Sequence, residues 1–207
     1  MDFTSAEGVG ILPENFFLTQ EQQSQLVQKS PSTKNGSSNL RKEIIRYYNN
    51  LIKLGKLEND GLSLKNENED NIVLSVKNEH IIVDYSVFSI FLKIYRDLDV
   101  AKQGHELLLV SPIFGMFGTQ AKQEGINVHI LENSEIDNWQ IDTDDLDKRL
   151  KANSKIKYIV INDPNNPTGT IITKEKAEEI LEILKKYPDV TLIVDNCLSG
   201  LEHNKTQ

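Results

Sequence analysis

The octet NDPNNPTG occupies residues 162–169, directly after the apolar run KYIVI at 157–161. Its two prolines, Pro164 and Pro167, fix φ and remove backbone donors, so neither a strand nor a helix runs through it. Gly169 permits a backbone angle that residues with a Cβ avoid. Beyond the octet, Thr173 is placed to cap a helix in which Ala177, Ile180, Leu181 and Leu184 fall at i, i+3, i+4 and i+7. Pro188 blocks its continuation, and TLIVD at 191–195 follows as a β-branched strand. The order is strand, loop, helix, strand, which is a βαβ unit and demands a parallel neighbour in a sheet.

The same alternation extends upstream. HIIVD (80–84), ELLLVS (106–111), INVHIL (126–131) and IKYIVI (156–161) join TLIVD as expected strands, five in one mainly parallel sheet. SVFSIFLKIYRDLDV (86–100) is apolar around most of its circumference, as a buried helix is. A short helix is expected at 118–123, and IDTDDLDKRLKAN (141–153) has an acidic first turn that suits the helix dipole. Nearer the N-terminus, Leu40, Ile44, Ile45, Tyr48 and Leu51 recur at helical spacing, with Ser37 or Ser38 as the cap. The residues before that helix are polar and irregular, and 57–71 carries turn residues and charge without periodicity. The fold class is therefore α/β: a mostly parallel sheet with flanking helices, plus an N-terminal helical and irregular segment. Right-handed crossovers bring the C-terminal strand ends to one rim, where open α/β sheets bind ligands. That rim collects Asp84, the turn at 112–114, the octet and Asp195.

Composition narrows the partners. The 207 residues carry 23 Lys plus Arg against 31 Asp plus Glu, a net charge of -8, which argues against nucleic acid. The single cysteine, Cys197, cannot form an internal disulfide and points to a reducing compartment. The first ten residues lack a basic, apolar leader, and no apolar run is long enough to span a bilayer. A cytoplasmic protein without a membrane partner is expected. The four histidines, His80, His105, His129 and His203, have no metal-ligand spacing, so no metal site is expected.

The octet has the form N-x-P-x-N-P-T-G and resembles the signature of pyridoxal-phosphate-dependent aminotransferases of class I/II, fold type I. SNLRKEIIRYY (38–48) is similar to that family's early L-R-x-x-I-A-x-Y helix, and the resemblance spans roughly residues 8–200. It implies pyridoxal 5′-phosphate as cofactor, an amino acid and a 2-oxo acid as substrates, and a homodimer. It divides the chain into an N-terminal arm with the first helix (1–50), a polar insertion (51–72) and an incomplete cofactor-binding large domain (73–207). It also implies roles at the rim. Asp195 would face the ring nitrogen and keep it protonated, and Asn166 would donate to the phenolic oxygen. PIFGMF (112–117) matches P-x-[YF]-x-x-[YF] in a shape closest to the histidinol-phosphate aminotransferases, with Phe114 stacking on the ring. Ser86, at a helix start, would help to hold the phosphate.

Three departures from the family pattern bear on activity. DYSVF (84–88) stands where the family has a glycine and small or hydroxyl residues, so Ser86 replaces the glycine and Val87 and Phe88 add bulk. DNCL (195–198) puts Leu198 where a tyrosine would donate a hydroxyl. The Schiff-base lysine belongs a few dozen residues past the strand-end aspartate, whereas Lys205 follows Asp195 by ten positions (205 − 195) and reads as a surface residue. No catalytic residue is assigned. The expectation is a chain truncated before that lysine, inactive alone, and either self-associating or paired with a partner chain. A non-catalytic relative that binds a ligand or partner, and a piece of another fold type I enzyme such as a carbon–sulfur lyase, are the alternatives.

Overall fold

The computed structural model describes residues 35–54 and 76–199. The irregular arm, most of the polar insertion and Lys205 lie outside the described residues. Helix α1 spans Ser38–Lys53, and the Ser37 hydroxyl accepts the Leu40 N–H to cap it. Then follow α2 (Val87–Asp97), β1 (Glu106–Ser111), α3 (Met116–Gln123), β2 (Val128–Glu132), α4 (Thr143–Ala152), β3 (Ile156–Asn162), α5 (Lys174–Leu184) and β4 (Thr191–Asp195). Short 3₁₀ turns occupy Asn78–His80 and Glu135–Asp137.

All pairings are parallel, in the order β2-β1-β3-β4. The central strands β1 and β3 are buried on both faces, which explains their unbroken apolar runs. Leu107, Leu109, Tyr158 and Val160 pack on one face with Phe91 and Tyr95 of α2 and Phe117 and Ala121 of α3. Leu108, Val110, Ile159 and Ile161 pack on the other with Leu146 and Leu150 of α4 and Ile180 and Ile183 of α5. The chain leaves β1 outward to β2 through α3 on the first face, then crosses to β3 and β4 through α4 and α5 on the second. The winding direction reverses between β1 and β3. At such a point the loops after the two strands diverge to opposite faces and leave a crevice at their C-terminal ends.

One expected strand is absent. HIIVD does not join the described sheet; its first residue ends a 3₁₀ turn and residues 81–84 have no ladder partner among the described residues, so that sheet has four strands and not five. The Val83 N–H donates instead to Asn35 O at 3.1 Å. Gly36, at φ +80, lies so close that a Cβ there would sit 2.0 Å from Val83 O. The β-branched run is thus docked on the turn before α1, where a main-chain bond to a segment distant in the sequence takes the place of a strand ladder. Helix and strand boundaries also move: α2 ends at Asp97 and not near 100, and α4 is Thr143–Ala152 within the expected 141–153. Helix α3 begins at Met116, and β2 begins at Val128, because Gly125 (φ +76) and the Ile126 N–H, bonded to Ala121 O at 2.9 Å, close the end of α3.

At the N-terminal end of the sheet, Glu106 opens β1, meets His129 Nε2 at 2.5 Å and accepts from Asn153 Nδ2 at 2.7 Å. The His129 and Asn153 contacts hold its carboxyl at about 2, below the ordinary 4.5. A depressed folded value means that the stabilisation is complete above 4.5 and is lost as pH falls toward 2. Glu106→Gln is expected to cost about 1–3 kcal/mol at neutral pH and clearly less near pH ~3. Urea midpoints at the two pH values check this; an equal loss at both would mean that the carboxylate charge is not what matters.

Candidate cofactor site

Asn162 and Asp195 stand directly opposite each other on the last rung between β3 and β4. Both are polar and buried, at 3% and 7% exposure. Asn162 Nδ2 donates to Asp195 O at 2.8 Å and to Asp195 Oδ2 at 3.2 Å. Its Oδ1 accepts the Asn166 N–H at 2.6 Å. Asp195 Oδ1 accepts the Cys197 N–H at 3.3 Å. Each carboxylate oxygen therefore has one long donor, although a carboxylate offers about four acceptor positions in all. Among the described residues no Lys, Arg or His pairs with Asp195. A buried carboxylate without a cation is costly to keep unless something else uses the charge.

The octet wraps around a second buried-facing amide. Asn165 Nδ2 donates to Pro112 O at 2.8 Å and so bridges the crevice between the loops after β1 and β3. Asn165 Oδ1 accepts from the Thr168 N–H at 3.2 Å and the Thr168 hydroxyl at 2.9 Å, and Asn165 O accepts the Gly169 N–H at 2.8 Å. This tight loop needs the positive φ of Gly169, +71. Asp163 Oδ1 accepts the Ile172 N–H at 2.9 Å and directs the chain toward α5, which Thr173 caps. Asn166 is left exposed: its main chain is held by Asn162, and its side-chain amide makes no hydrogen bond among the described residues.

Phe114 lies on the same rim with 41% of its surface exposed. Its ring stacks on Phe88, at 5.7 Å between centroids and 28° between planes, and meets Phe117 edge-on at 6.3 Å. Phe88 belongs to the first turn of α2, so this stack ties the α2 N-terminus to the loop after β1. Ser86 is the N-cap there; its Oγ accepts the Ser89 N–H at 3.1 Å while Ser89 Oγ donates to Ser86 O at 2.7 Å. The Ser86 oxygen is thereby engaged with its own helix. The N–H groups of Val87 and Phe88 precede the first intrahelical bond, Ile90 N–H to Ser86 O, and are the donors an anion would meet. Asp84, whose Oδ1 accepts the Tyr85 N–H at 2.8 Å, adds a like charge near that end.

Asn166 and Asp195 are thus brought together through Asn162, and Phe114 is joined to the helix that Ser86 caps through Phe88. Asn162 and Asn165 are the contributions that sequence reasoning passed over, and Phe88, read there only as added bulk, stacks behind Phe114. Asn162 had one usable signal, being an amide at the last position of an otherwise apolar strand. Leu198 is half-buried and carries no donor.

Partial desolvation of the Cys197 sulfur and the neighbouring Asp195 carboxylate push this exposed residue's thiol above its usual value. Alkylation by iodoacetamide near pH ~8 should therefore be slower than for a free thiol. Asp195→Asn should speed it severalfold; an unchanged rate would leave burial alone as the cause.

The sequence pattern that defines the aminotransferase class I and II family matches residues 29–206. The chain belongs to this family. Family members are pyridoxal-phosphate-dependent. Among curated relatives, the histidinol-phosphate aminotransferase of Blochmanniella pennsylvanica is 35% identical over 79 residues, 38% of this chain and 21% of that protein. Among solved structures, the aspartate aminotransferase of Thermotoga maritima superposes with a TM-score of 0.61 at 19% identity, covering 84% of this chain and 40% of that one. The pyridoxal-phosphate-bound C–S lyase of Staphylococcus hominis gives 0.53 at 22% identity, covering 59% and 31%. At these identities the structural likeness establishes the shared α/β fold. The matched stretches span well under half the length of these relatives. No described helix is long and apolar enough to cross a membrane.

Proposed function

We propose that this chain is the cofactor-recognising part of a pyridoxal-phosphate-dependent aminotransferase, acting on an amino acid and a 2-oxo acid as a cytoplasmic homodimer. The observation that carries this reading is the buried Asp195 carboxylate, without a cation among the described residues, linked through Asn162 to the exposed Asn166 at the winding reversal of the sheet. The donor set fits the cofactor. When bound, pyridoxal 5′-phosphate supplies a protonated ring that accepts electrons from the amino-acid carbon.

Each residue then has one task. Asp195 holds the proton on the ring nitrogen, since a buried carboxylate raises the proton affinity of a base beside it. Asn166 donates to the phenolic oxygen, and Phe114 offers a ring face. The α2 N-terminus behind Ser86 meets the phosphate, against the opposing charge of Asp84. Lys205 is the only lysine after Asp195 and lies outside the described residues, so covalent attachment is not assigned to any residue of this polypeptide. A carbon–sulfur lyase would use the same groups, and no separate feature favours it.

The test uses pyridoxamine 5′-phosphate, which has no aldehyde and so forms no adducts with surface lysines. Equilibrium dialysis should show saturable, one-to-one binding, and the 207-residue polypeptide alone should not transaminate a panel of amino acids. Absence of saturable binding up to about 1 mM, a few kcal/mol of affinity at most, would overturn the reading. Turnover that disappears in Lys205→Ala would overturn the lysine assignment alone.

A further inference from the structure

Asn162 is the least expected polar residue of the fold. It ends β3, is 3% exposed, and spends its whole amide on the two sides of the rim. The sheet does not require it, because Asp195 O already accepts the Asp163 N–H at 3.0 Å. What its amide adds is the contact to Asp195 Oδ2 at 3.2 Å on one side and the 2.6 Å bond from the Asn166 N–H on the other.

We propose that Asn162 is the positioning residue of the cofactor site: its single amide orients the Asp195 carboxylate toward a protonated ring nitrogen and sets the distance from there to Asn166. This rests on the cofactor reading above. The chemistry favours an amide at this position over a cation. A lysine or arginine would pair with Asp195 and cancel the charge that the ring must feel, whereas a neutral donor fixes the carboxylate and leaves it charged. Asp195 is the last residue of β4, so no further rung follows it, and this bond to Oδ2 is the one side-chain restraint on its carboxylate beside the 3.3 Å main-chain bond from the Cys197 N–H to Oδ1. Asn166 follows Asn162 by four residues, and the Asn162 Oδ1 bond pins its main chain at the start of the tight loop. A ring with its nitrogen and phenolic oxygen at fixed separation needs both partners placed together, and one rigid buried side chain does that without relying on the loop.

A purely structural asparagine would affect folding but not discriminate between ligands. The deciding measurement is therefore a ratio, the affinity for pyridoxamine 5′-phosphate over that for its 1-deaza analogue, in which carbon replaces the ring nitrogen. The unmodified chain should prefer the nitrogen ring, and Asn162→Ala should reduce that preference about tenfold, over and above any weakening common to both ligands through Asn166. An Asn162→Ala chain that keeps the full preference, even with weaker binding of both ligands or a lower melting temperature, overturns the positioning role and leaves the cofactor reading intact. An unmodified chain that binds neither ligand, or both equally, overturns the cofactor reading itself. Should Asn162→Ala not fold, NMR of the unmodified chain decides. The Asn162 side-chain amide signal should move with saturating pyridoxamine 5′-phosphate and clearly less with the 1-deaza analogue, and equal movement with both overturns the proposal.

Discussion

Phe117→Ala should cost about 3–5 kcal/mol, enough to unfold much of a domain whose total stability is about 5–15 kcal/mol. Phe117 is 1% exposed and packs in the core formed by α2, α3 and the first sheet face. Its ring centroid lies 4.4 Å from Phe91 and 6.3 Å from both Phe88 and Phe114. Its carbonyl also accepts the Tyr95 hydroxyl at 3.4 Å. Truncation leaves a cavity beneath the α2–α3 contact that the sheet behind cannot fill, so little of the loss is recovered by relaxation. Urea denaturation measures it, and a loss below about 1 kcal/mol would mean that this core is not close-packed. Phe114→Ala is the control, since Phe114 is 41% exposed and removing it should change stability little while weakening ligand binding.

Asp195→Asn should separate stability from recognition. The replacement keeps shape and an acceptor for Asn162, but it removes a buried charge that no described cation balances. Folding should be unchanged or slightly favoured, because the desolvation penalty of an unpaired carboxylate disappears. Binding of pyridoxamine 5′-phosphate should fall by about 30-fold to 1000-fold, the loss expected when one partner of a buried charge pair is removed. Calorimetry for the ligand and a thermal melt for the apo chain give the two readouts. Binding that survives, or a melt that drops with it, would place the carboxylate in the fold and not in the site.

The elements that sequence determined are those whose cause is local. β1 and β4 fall where their runs were read, at Glu106–Ser111 and Thr191–Asp195, and α5 begins after its Thr173 cap. In each case the apolar period, the cap and the terminating proline or glycine lie within a few residues of the element they define. The octet was legible for the same reason: prolines, a positive-φ glycine and amides specify a tight loop at close range.

Tertiary structure decided whatever depends on a partner distant in the chain. HIIVD has the composition of a strand, yet the Val83 N–H finds its described partner at Asn35, more than 40 residues earlier (83 − 35 = 48), and the run stays out of the described sheet. Phe88 reads as lost hydroxyl capacity, and only the packing of α2 on α3 turns it into the platform behind Phe114. Asn162 reads as one polar letter of a loop, and becomes the link between Asp195 and Asn166 because β4 is placed beside β3. Period and turn chemistry are set by backbone sterics over a few residues, whereas a buried hydrogen bond between residues 33 apart exists only once the sheet has closed around it.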